Sequence, residues 1–137
     1  PDRTQKIKKM SPGEYRDSLI HEALNFHGER CTGLALAVRM AMVANMMLGC
    51  DLRSDAVGII IGKSPCISDS LIGITGARLG TGRLRYNLRP KLKHAWSDSY
   101  SIFNDEKTII FSLRKFMKDF DGIIECDVND LFDIDII

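Results

Sequence analysis

The sequence predicts an α+β fold in which N-terminal helices, one of them central and buried, pack on a mainly antiparallel sheet. Three helix signals precede residue 77, and short apolar runs separated by turn residues dominate the later part. At 137 residues, with 45% hydrophobic and 27% charged residues, the composition is that of a globular protein. We therefore expect one domain over residues 1–137.

The first marked helix is predicted within "SPGEYRDSLIHEALNFHG". Ser11 is a candidate N-cap, Pro12 suits the first helical turn, and Glu14 completes a capping box. The apolar stripe continues at helical spacing to His27, and Gly28 is placed to end or bend the helix. A helix from about Pro12 to His27 follows, with His27 on its core-facing side.

The second helix is predicted in "GLALAVRMAMVANMMLG", from Gly33 to Gly49. It is apolar almost all round, which indicates a central core helix or a helix at a dimer interface. Because a membrane span needs about 20 apolar residues and tolerates a mid-segment arginine poorly, a spanning helix is not expected. Arg39 and Asn45 must find polar partners inside the protein, and a structural partner is favoured over a substrate anion.

A buried strand and a third helix follow. The run "AVGIIIG" indicates a strand that ends near Gly62, and Ser64 with Pro65 signals a helix that closes near Gly76. Cys66 would lie in the first turn of that helix, where unpaired N–H groups and the helix dipole favour a thiolate.

The rest of the chain is predicted as antiparallel strands joined by turns, with "ND" at 104–105 marking one turn. An amphipathic segment is expected around "LRKFMKDF", a strand at "GIIEC", and then an acidic tail, "DVNDLFDIDII". The strands are expected in these runs: "RLRYNL", "KHAWSDSYSIF" and "KTIIFSL".

Charge is distributed unevenly. Residues 1–100 contain 15 Lys+Arg and 9 Asp+Glu, a net +6, whereas residues 101–137 contain 4 and 9, a net −5. Opposed charges of this size favour two parts of one fold, or two copies of it, facing each other, and no nucleic-acid partner is expected. The basic segment from Arg78 to Lys93 is predicted to be a solvated hairpin or one that pairs with the acidic tail; an anion site is the alternative.

The cysteines and one histidine are the chemical candidates. The four cysteines form no CxxC pair, and the opening "PDRTQKIKKM" has no apolar core of a secretory leader, so we expect reduced thiols in the cytoplasm. If the helix persisted through Cys31, His27 and Cys31 would be i and i+4 on one face and could share a zinc ion or another transition metal. Cys66 is the third candidate ligand, with Asp69 one turn on; the alternative is that these cysteines simply pack. For Cys50 and Cys126 packing is expected.

Taken together, "FHGERCTGLALAVRMA", "SPCISDSLIGITGARLGTGRL" and the strand-rich segment after them resemble the FmdE-like family of formylmethanofuran dehydrogenase proteins over about residues 15–97. The resemblance implies an α+β domain that dimerises, with a metal-binding cleft lined by both motifs. Glu29 stands where the family usually has a second histidine, and Ala77 stands where a cysteine is frequent. The C-terminal cysteine-rich zinc module of many members is not among these residues. The positions that match are His27, Cys31, Gly33, Arg39, Cys66, Asp69, Thr75 and Gly76.

The leading hypothesis is a cytoplasmic homodimer whose Cys/His cleft binds zinc or another transition metal, as an enzyme or accessory protein of one-carbon or redox metabolism, methanogenesis included. His27 and Cys31 are assigned as ligands, Cys66 as ligand or reactive thiolate, Asp69 as an orienting carboxylate, and Glu29 as ligand or proton acceptor. Cys66, Asp69 and Glu29 are thus the candidate catalytic residues, although no reaction class follows from the sequence.

Two alternatives remain open. One is a non-catalytic binding module that holds a small anionic ligand or a partner protein through Arg39 and the basic hairpin. The other is a purely structural protein in which the apolar helix forms an oligomer interface. Neither a membrane nor a nucleic acid is an expected partner.

Overall fold

The computed structural model describes residues 2–86, 98–115 and 118–137, and these form an α+β fold, as the sequence predicts. A short 3₁₀ turn, Leu79–Thr81, follows the fourth helix. The helices are α1 (Thr4–Lys8), α2 (Pro12–His27), α3 (Thr32–Leu48), α4 (Pro65–Thr75), α5 (Phe120–Glu125) and α6 (Val128–Leu131). The strands are β1 (Gly58–Ile61), β2 (Leu84–Tyr86), β3 (Ser99–Phe103), β4 (Thr108–Leu113) and β5 (Phe132–Ile136).

The five strands form one sheet in the order β2-β1-β3-β4-β5. All neighbouring strands are antiparallel except β1 and β2, which are parallel. Helix α3 is the centre of the molecule, because it contacts α2 and α4 on one side and also packs against α5 and β3. The sheet is therefore mainly antiparallel, with the predicted central helix lying on it.

The helix boundaries follow from the capping signals in the sequence. The Ser11 hydroxyl accepts from the backbone N–H of Glu14, and the Glu14 carboxylate accepts from the backbone N–H of Ser11, which forms the predicted capping box. Gly28 ends α2 with φ 84°, a conformation that glycine adopts without steric cost. In α4 the Ser64 side chain likewise accepts from Ile67 N–H, and Pro65 occupies the first turn.

The predicted burial of α3 is confirmed, since its residues from 33 to 38 and Met40, Ala41 and Ala44 are buried. Arg39 does find a structural partner: its Nη1 donates to the carbonyls of Ile123, Ile124 and Cys126 at 2.7, 3.1 and 2.8 Å. These are carbonyls at the C-terminal end of α5, where a cation is favourable. Arg39 therefore joins α3 to α5, which is the structural role that the sequence favours.

The predicted strand "RLRYNL" differs from expectation in direction. Of this run, the structure describes β2 as a strand, and residues 87–97 lie outside the described residues. Strand β2 runs parallel to β1, with Ile60 opposite Arg85. Parallel neighbours need a crossover, and α4 supplies it between β1 and β2. The antiparallel prediction is thus wrong for this strand, and α4 is held against the sheet edge by the crossover.

The predicted strand "GIIEC" is also wrong, because these residues belong largely to helix α5. The Asp119 carboxylate accepts from the Gly122 N–H and caps the helix start. Ile123 is fully buried and α5 packs on α3, so tertiary contact overrides the β-branched run. Of the amphipathic segment expected around "LRKFMKDF", residues 116 and 117 lie outside the described residues, and Leu113 ends β4.

The C-terminal segment, expected as an acidic tail, forms an edge strand of the sheet. Strand β5 pairs antiparallel with β4, with Phe111 opposite Ile134. The signal was present in "FDIDI", where apolar residues alternate with aspartates. The predicted turn at 104–105 is confirmed: Asn104 Oδ1 accepts from the N–H groups of Glu106 and Lys107 between β3 and β4.

The N-terminal segment is tied to the helical layer by charge. Arg3 donates to Asp51 through Nε and Nη2, at 3.1 and 2.9 Å, and to Glu22 through Nη1 at 2.7 Å. Burial alone would raise the pKa of the Asp51 carboxyl, but the hydrogen bonds from Arg3 and from the Arg53 backbone N–H lower that pKa overall. The pair therefore stabilises the folded state most when Asp51 is ionised.

Some contacts cross between the basic and acidic parts of the chain. Arg30 lies 3.6 Å from Asp121, and Arg83 lies 3.8 Å from Asp105. Opposed charges thus face each other within the fold, although these exposed pairs contribute little stability. Among the described residues, no helix combines the length and the apolar character needed to cross a membrane.

Candidate metal centre

The motif "FHGERCTG" forms the turn between α2 and α3. His27 is the last residue of α2, Gly28 follows in the left-handed region, and Cys31 is the N-cap of α3. The helix does not continue through Cys31, so the predicted i,i+4 spacing is not what brings the two residues together. The reversal after Gly28 does so instead, with Cys31 Sγ 3.4 Å from His27 Nε2.

Cys66 reaches the same place from α4. It lies in the first turn of that helix, as predicted, and α4 packs closely against the start of α3. Gly33 makes this approach possible, because a Cβ at that position would lie 2.6 Å from Cys66 Cβ and 3.2 Å from Ile67 N. The second residue of α3 must therefore be small for the two helix ends to meet.

His27, Cys31 and Cys66 form a group of potential ligands among the described residues. Each contributes one donor atom, and the three atoms lie within 4.8 Å of one another. In a tetrahedral zinc site with bonds of about 2.0 Å to nitrogen and 2.3 Å to sulfur, ligand atoms are separated by about 3.5–3.8 Å. The three side chains are therefore close to the spacing that a transition metal requires, and one imidazole with two thiolates suits zinc.

Asp69 supports this group through His27. The two side chains are joined by a hydrogen bond of 3.2 Å between Nδ1 and Asp69 Oδ2. If Nδ1 carries the proton and donates it to the carboxylate, Nε2 presents its lone pair toward Cys31. This orientation is the one seen in carboxylate–histidine–metal arrangements. The imidazole is largely buried, with 10% of its side chain exposed, so it is also restrained by packing.

The pKa of the Cys66 thiol is raised, which corrects the expectation of a thiolate at this helix end. Burial is the largest cause, followed by the hydrogen bond with Cys31 and by the negative charges of Cys31, Glu29 and Asp69. The direction of this shift is opposite to the one expected from the N-terminus of α4.

Glu29 lies in the exposed turn between α2 and α3 and does not belong to the group of three donors found among the described residues. Its charge is nevertheless close enough to raise the pKa of Cys66. Ala77 is buried beyond the other end of α4, which runs from Pro65 to Thr75. At a rise of about 1.5 Å per residue that end is some 15 Å from Cys66, so the alanine does not alter the three-donor group directly.

A buried pair that sequence reasoning missed holds the segment before Cys66. Asp98 accepts from the backbone N–H of Lys63 at 3.1 and 2.9 Å and from the hydroxyl of Tyr100. The Tyr100 oxygen in turn accepts from Ser64 N–H at 2.6 Å. Burial and the Asp98 bond raise the pKa of Tyr100. Because the partners are 35 and 36 residues apart, no local pattern indicates them.

The remaining candidates have structural roles. Cys50 and Cys126 are half-buried and pack against the core, as expected, and all four thiols are free. Asn45 donates to the carbonyl of Cys50 at 2.8 Å. In the basic segment, Arg85 stacks over the Phe103 ring at 4.7 Å, and the part from 87 to 97 lies outside the described residues.

Comparison with known proteins identifies one family. The family described as "FmdE, Molybdenum formylmethanofuran dehydrogenase operon" matches residues 26–125. The match begins at the Cys/His turn, includes both motifs and extends through α5, beyond the limit of about residue 97 expected from the motifs. A comparison with curated proteins gave no match.

Proposed function

Since this chain belongs to the FmdE family, we propose that it is a metal-binding protein whose ion, most suitably zinc, lies between His27, Cys31 and Cys66. The single observation that carries the proposal is the convergence of three donor atoms within 4.8 Å of one another from the ends of three helices. Three protein ligands leave one position of a tetrahedral ion open, which is typical of catalytic and not of structural zinc sites. In that position the ion would act as a Lewis acid toward a bound water or substrate oxygen.

The side chains around the group have distinct roles in this proposal. Asp69 fixes the ring of His27 and increases the basicity of Nε2. Glu29, exposed and near Cys66, is available as a fourth ligand or as a proton acceptor beside the open position. Both roles use a carboxylate, and only ligation would change the number of protein ligands from three to four.

The cellular setting is the less specific part of the proposal. We propose a cytoplasmic homodimer that acts as an enzyme or accessory protein in one-carbon or redox metabolism. The apolar helix α3 supports dimerisation, because Met46 is 73% exposed and Met42 and Val43 line a cavity of about 530 Å³ beside it. Light scattering should give twice the mass of the chain, and a monomer at micromolar concentration would exclude the dimer.

Metal content tests the centre directly. Protein purified without metal and reconstituted with zinc should contain close to one ion per chain by elemental analysis, and Co²⁺ substitution should produce the thiolate charge-transfer and visible d–d absorption of a tetrahedral site. The Cys31→Ser and Cys66→Ser variants should lose the charge-transfer band in part and bind the metal much more weakly, because serine is a poor ligand for borderline-soft ions.

Cys50→Ser and Cys126→Ser are matched controls, since both cysteines are half-buried but outside the group. They should keep the full metal content and the cobalt spectrum. Equal, sub-stoichiometric metal in the wild type and in all four serine variants would refute the centre.

A further inference from the structure

Two neighbouring cavities lie at the C-terminal end of α4, away from Cys66. The two cavities, of about 640 and 460 Å³, share a wall formed by Arg53, Gly76, Ala77 and Arg78. They therefore adjoin across the turn that follows α4, and we call the pair the α4 trough. Each cavity has the volume of a small-molecule site.

The smaller cavity is the basic part of the trough. Arg53, Arg78 and Arg83 line it with one acidic residue, Asp55. Within the described part of the chain the Arg78 side chain, which is exposed, makes no hydrogen bond or ion pair. Three guanidinium groups and one carboxylate line this cavity, and this excess of positive charge in the lining suits a phosphomonoester, which carries about −2 at neutral pH.

Two of these arginines are held in place by the main chain. Arg53 Nη1 donates to the carbonyls of Gly73 and Ile74 at 2.5 and 3.2 Å, and Arg83 Nη1 donates to the carbonyl of Ala56 at 3.1 Å. Their guanidinium groups are thus oriented before a ligand arrives, which lowers the entropy cost of binding. At Gly76 a Cβ would lie only 3.1 Å from Arg53 Nη2, so the glycine leaves room for that group.

Two further carboxylates approach these arginines at ion-pair distance without forming hydrogen bonds to them. Glu22 Oε2 lies 3.8 Å from Arg53 Nη1, and Asp105 Oδ1 lies 3.8 Å from Arg83 Nη1. Both distances are longer than a hydrogen bond. Glu22 is already paired with Arg3 at 2.7 Å. A phosphate that accepts short hydrogen bonds from the arginines would therefore compete well with both carboxylates.

The larger cavity is the more apolar part of the trough and carries one exposed aromatic ring and several aliphatic groups. Phe26 is 57% exposed and Leu79 is 59% exposed, and both line this cavity with Ile72 and Leu84. Phe26 lies against α4 because Gly73 has no side chain: a Cβ there would be 2.7 Å from Phe26 Cβ. Its exposed ring face offers a stacking surface for a flat apolar group.

We propose that the α4 trough binds a phosphomonoester that carries a planar aromatic group, of which a nucleoside monophosphate is the simplest example. The phosphate lies between Arg53, Arg78 and Arg83, and the aromatic group lies against Phe26 and Leu79. Asn25 lines the aromatic part, and its amide oxygen offers an acceptor for an exocyclic amine. The site is separate from the His27 group, so it does not depend on the metal proposal.

Calorimetric titration of the full chain with AMP, adenosine and inorganic phosphate tests the site. AMP should bind saturably and at least about tenfold more tightly than adenosine or phosphate alone, because only AMP occupies both parts of the trough. Arg78→Gln should weaken AMP binding by about tenfold or more, since it removes one charged donor from the phosphate. Phe26→Ala and Leu79→Ser should weaken AMP binding but leave phosphate binding unchanged.

Arg85→Gln is the matched control, because Arg85 belongs to the same basic segment but does not line either cavity. It should bind AMP as the wild type does, and so should Cys31→Ser, which affects only the metal group. All variants are first compared by far-ultraviolet circular dichroism, and Arg78 has no described partner whose loss would unfold the chain. AMP binding no tighter than phosphate, AMP binding unchanged in Arg78→Gln, or no AMP binding at millimolar concentration would each overturn the proposal.

Discussion

The packing of Gly33 against Cys66 leads to a specific prediction about stability and metal binding together. In the Gly33→Ala variant the new Cβ would lie 2.6 Å from Cys66 Cβ, about 1 Å closer than the optimum for two carbon atoms. The new Cβ would also lie 3.2 Å from the backbone nitrogen of Ile67, which a side-chain rotation cannot move away. The start of α3 or of α4 must therefore move.

The expected change in the free energy of unfolding of Gly33→Ala follows from two opposed effects. Replacing glycine by alanine at an unstrained position stabilises a protein by about 0.4–1 kcal/mol, because the unfolded chain loses freedom. Overpacking a close contact costs about 1–3 kcal/mol. For Gly33→Ala we expect a net loss of about 1–2 kcal/mol in the free energy of unfolding and at least a tenfold loss of Co²⁺ affinity, because ligand positions tolerate displacements of only about 0.5 Å.

Gly13→Ala provides the matched control. Gly13 is the second residue of α2, as Gly33 is the second residue of α3, and the nearest atom to its added Cβ is 3.8 Å away. The free energy of unfolding of this variant should rise by about 0.5 kcal/mol, and its metal affinity should not change. Urea unfolding and cobalt titration measure both effects, and equal stabilities and affinities for the two alanine variants would refute the reasoning.

Three further predictions concern single side chains. Arg39→Met should lower the free energy of unfolding, measured by urea denaturation, by about 2–4 kcal/mol, because three carbonyls at the end of α5 lose their charged donor. A loss below about 0.5 kcal/mol would argue against this role. Because the pKa of Asp51 is lowered in the folded state, its contribution with Arg3 is complete above about pH 5 and is lost as the pH falls through the folded-state pKa. Asp51→Asn should therefore reduce the dependence of stability on pH between about pH 2 and 5, and an unchanged slope would contradict this prediction. Asp69→Asn should weaken zinc binding by about tenfold to a hundredfold, because the carboxylate that orients the His27 ring is lost, while the thermal stability of the metal-free protein changes little. An unchanged zinc affinity in a competition titration would exclude the orienting role of Asp69.

The helical part of the fold was predictable because its signals are local. Ser11 with Glu14 and Ser64 with Pro65 mark helix starts within four residues, and glycines at 28, 49 and 76 mark the ends. The parallel pairing of β2 and the helical state of 120–125 were not predictable in the same way. Both depend on long-range packing, through the α4 crossover and through the contact of α5 with Arg39.

The candidate site was predictable in its residues but not in its geometry. The sequence motifs singled out His27, Cys31, Cys66 and Asp69, and the predicted helix end at Gly28 is confirmed. The i,i+4 pairing of His27 and Cys31, which required a helix through Cys31, is replaced by a turn. The α4 trough was only partly visible. The basic segment pointed to Arg78 and Arg83, whereas Arg53 and Phe26 are far from that segment in sequence and have no motif of their own.

The positions of the helix ends indicate why His27, Cys31 and Cys66 are better suited to holding a cation than to carrying thiolates with no cation beside them. Cys31 caps the start of α3 and Cys66 lies in the first turn of α4, so two helix N-termini favour negative charge on the sulfurs. His27 ends α2, whose C-terminus favours positive charge nearby. Each of these effects contributes about 0.3–1 kcal/mol, whereas burial and the neighbouring Cys31, Glu29 and Asp69 raise the pKa of Cys66. A divalent ion held by this group would reverse the repulsion among the negative groups, and the helix ends would then stabilise both the thiolates and the ion.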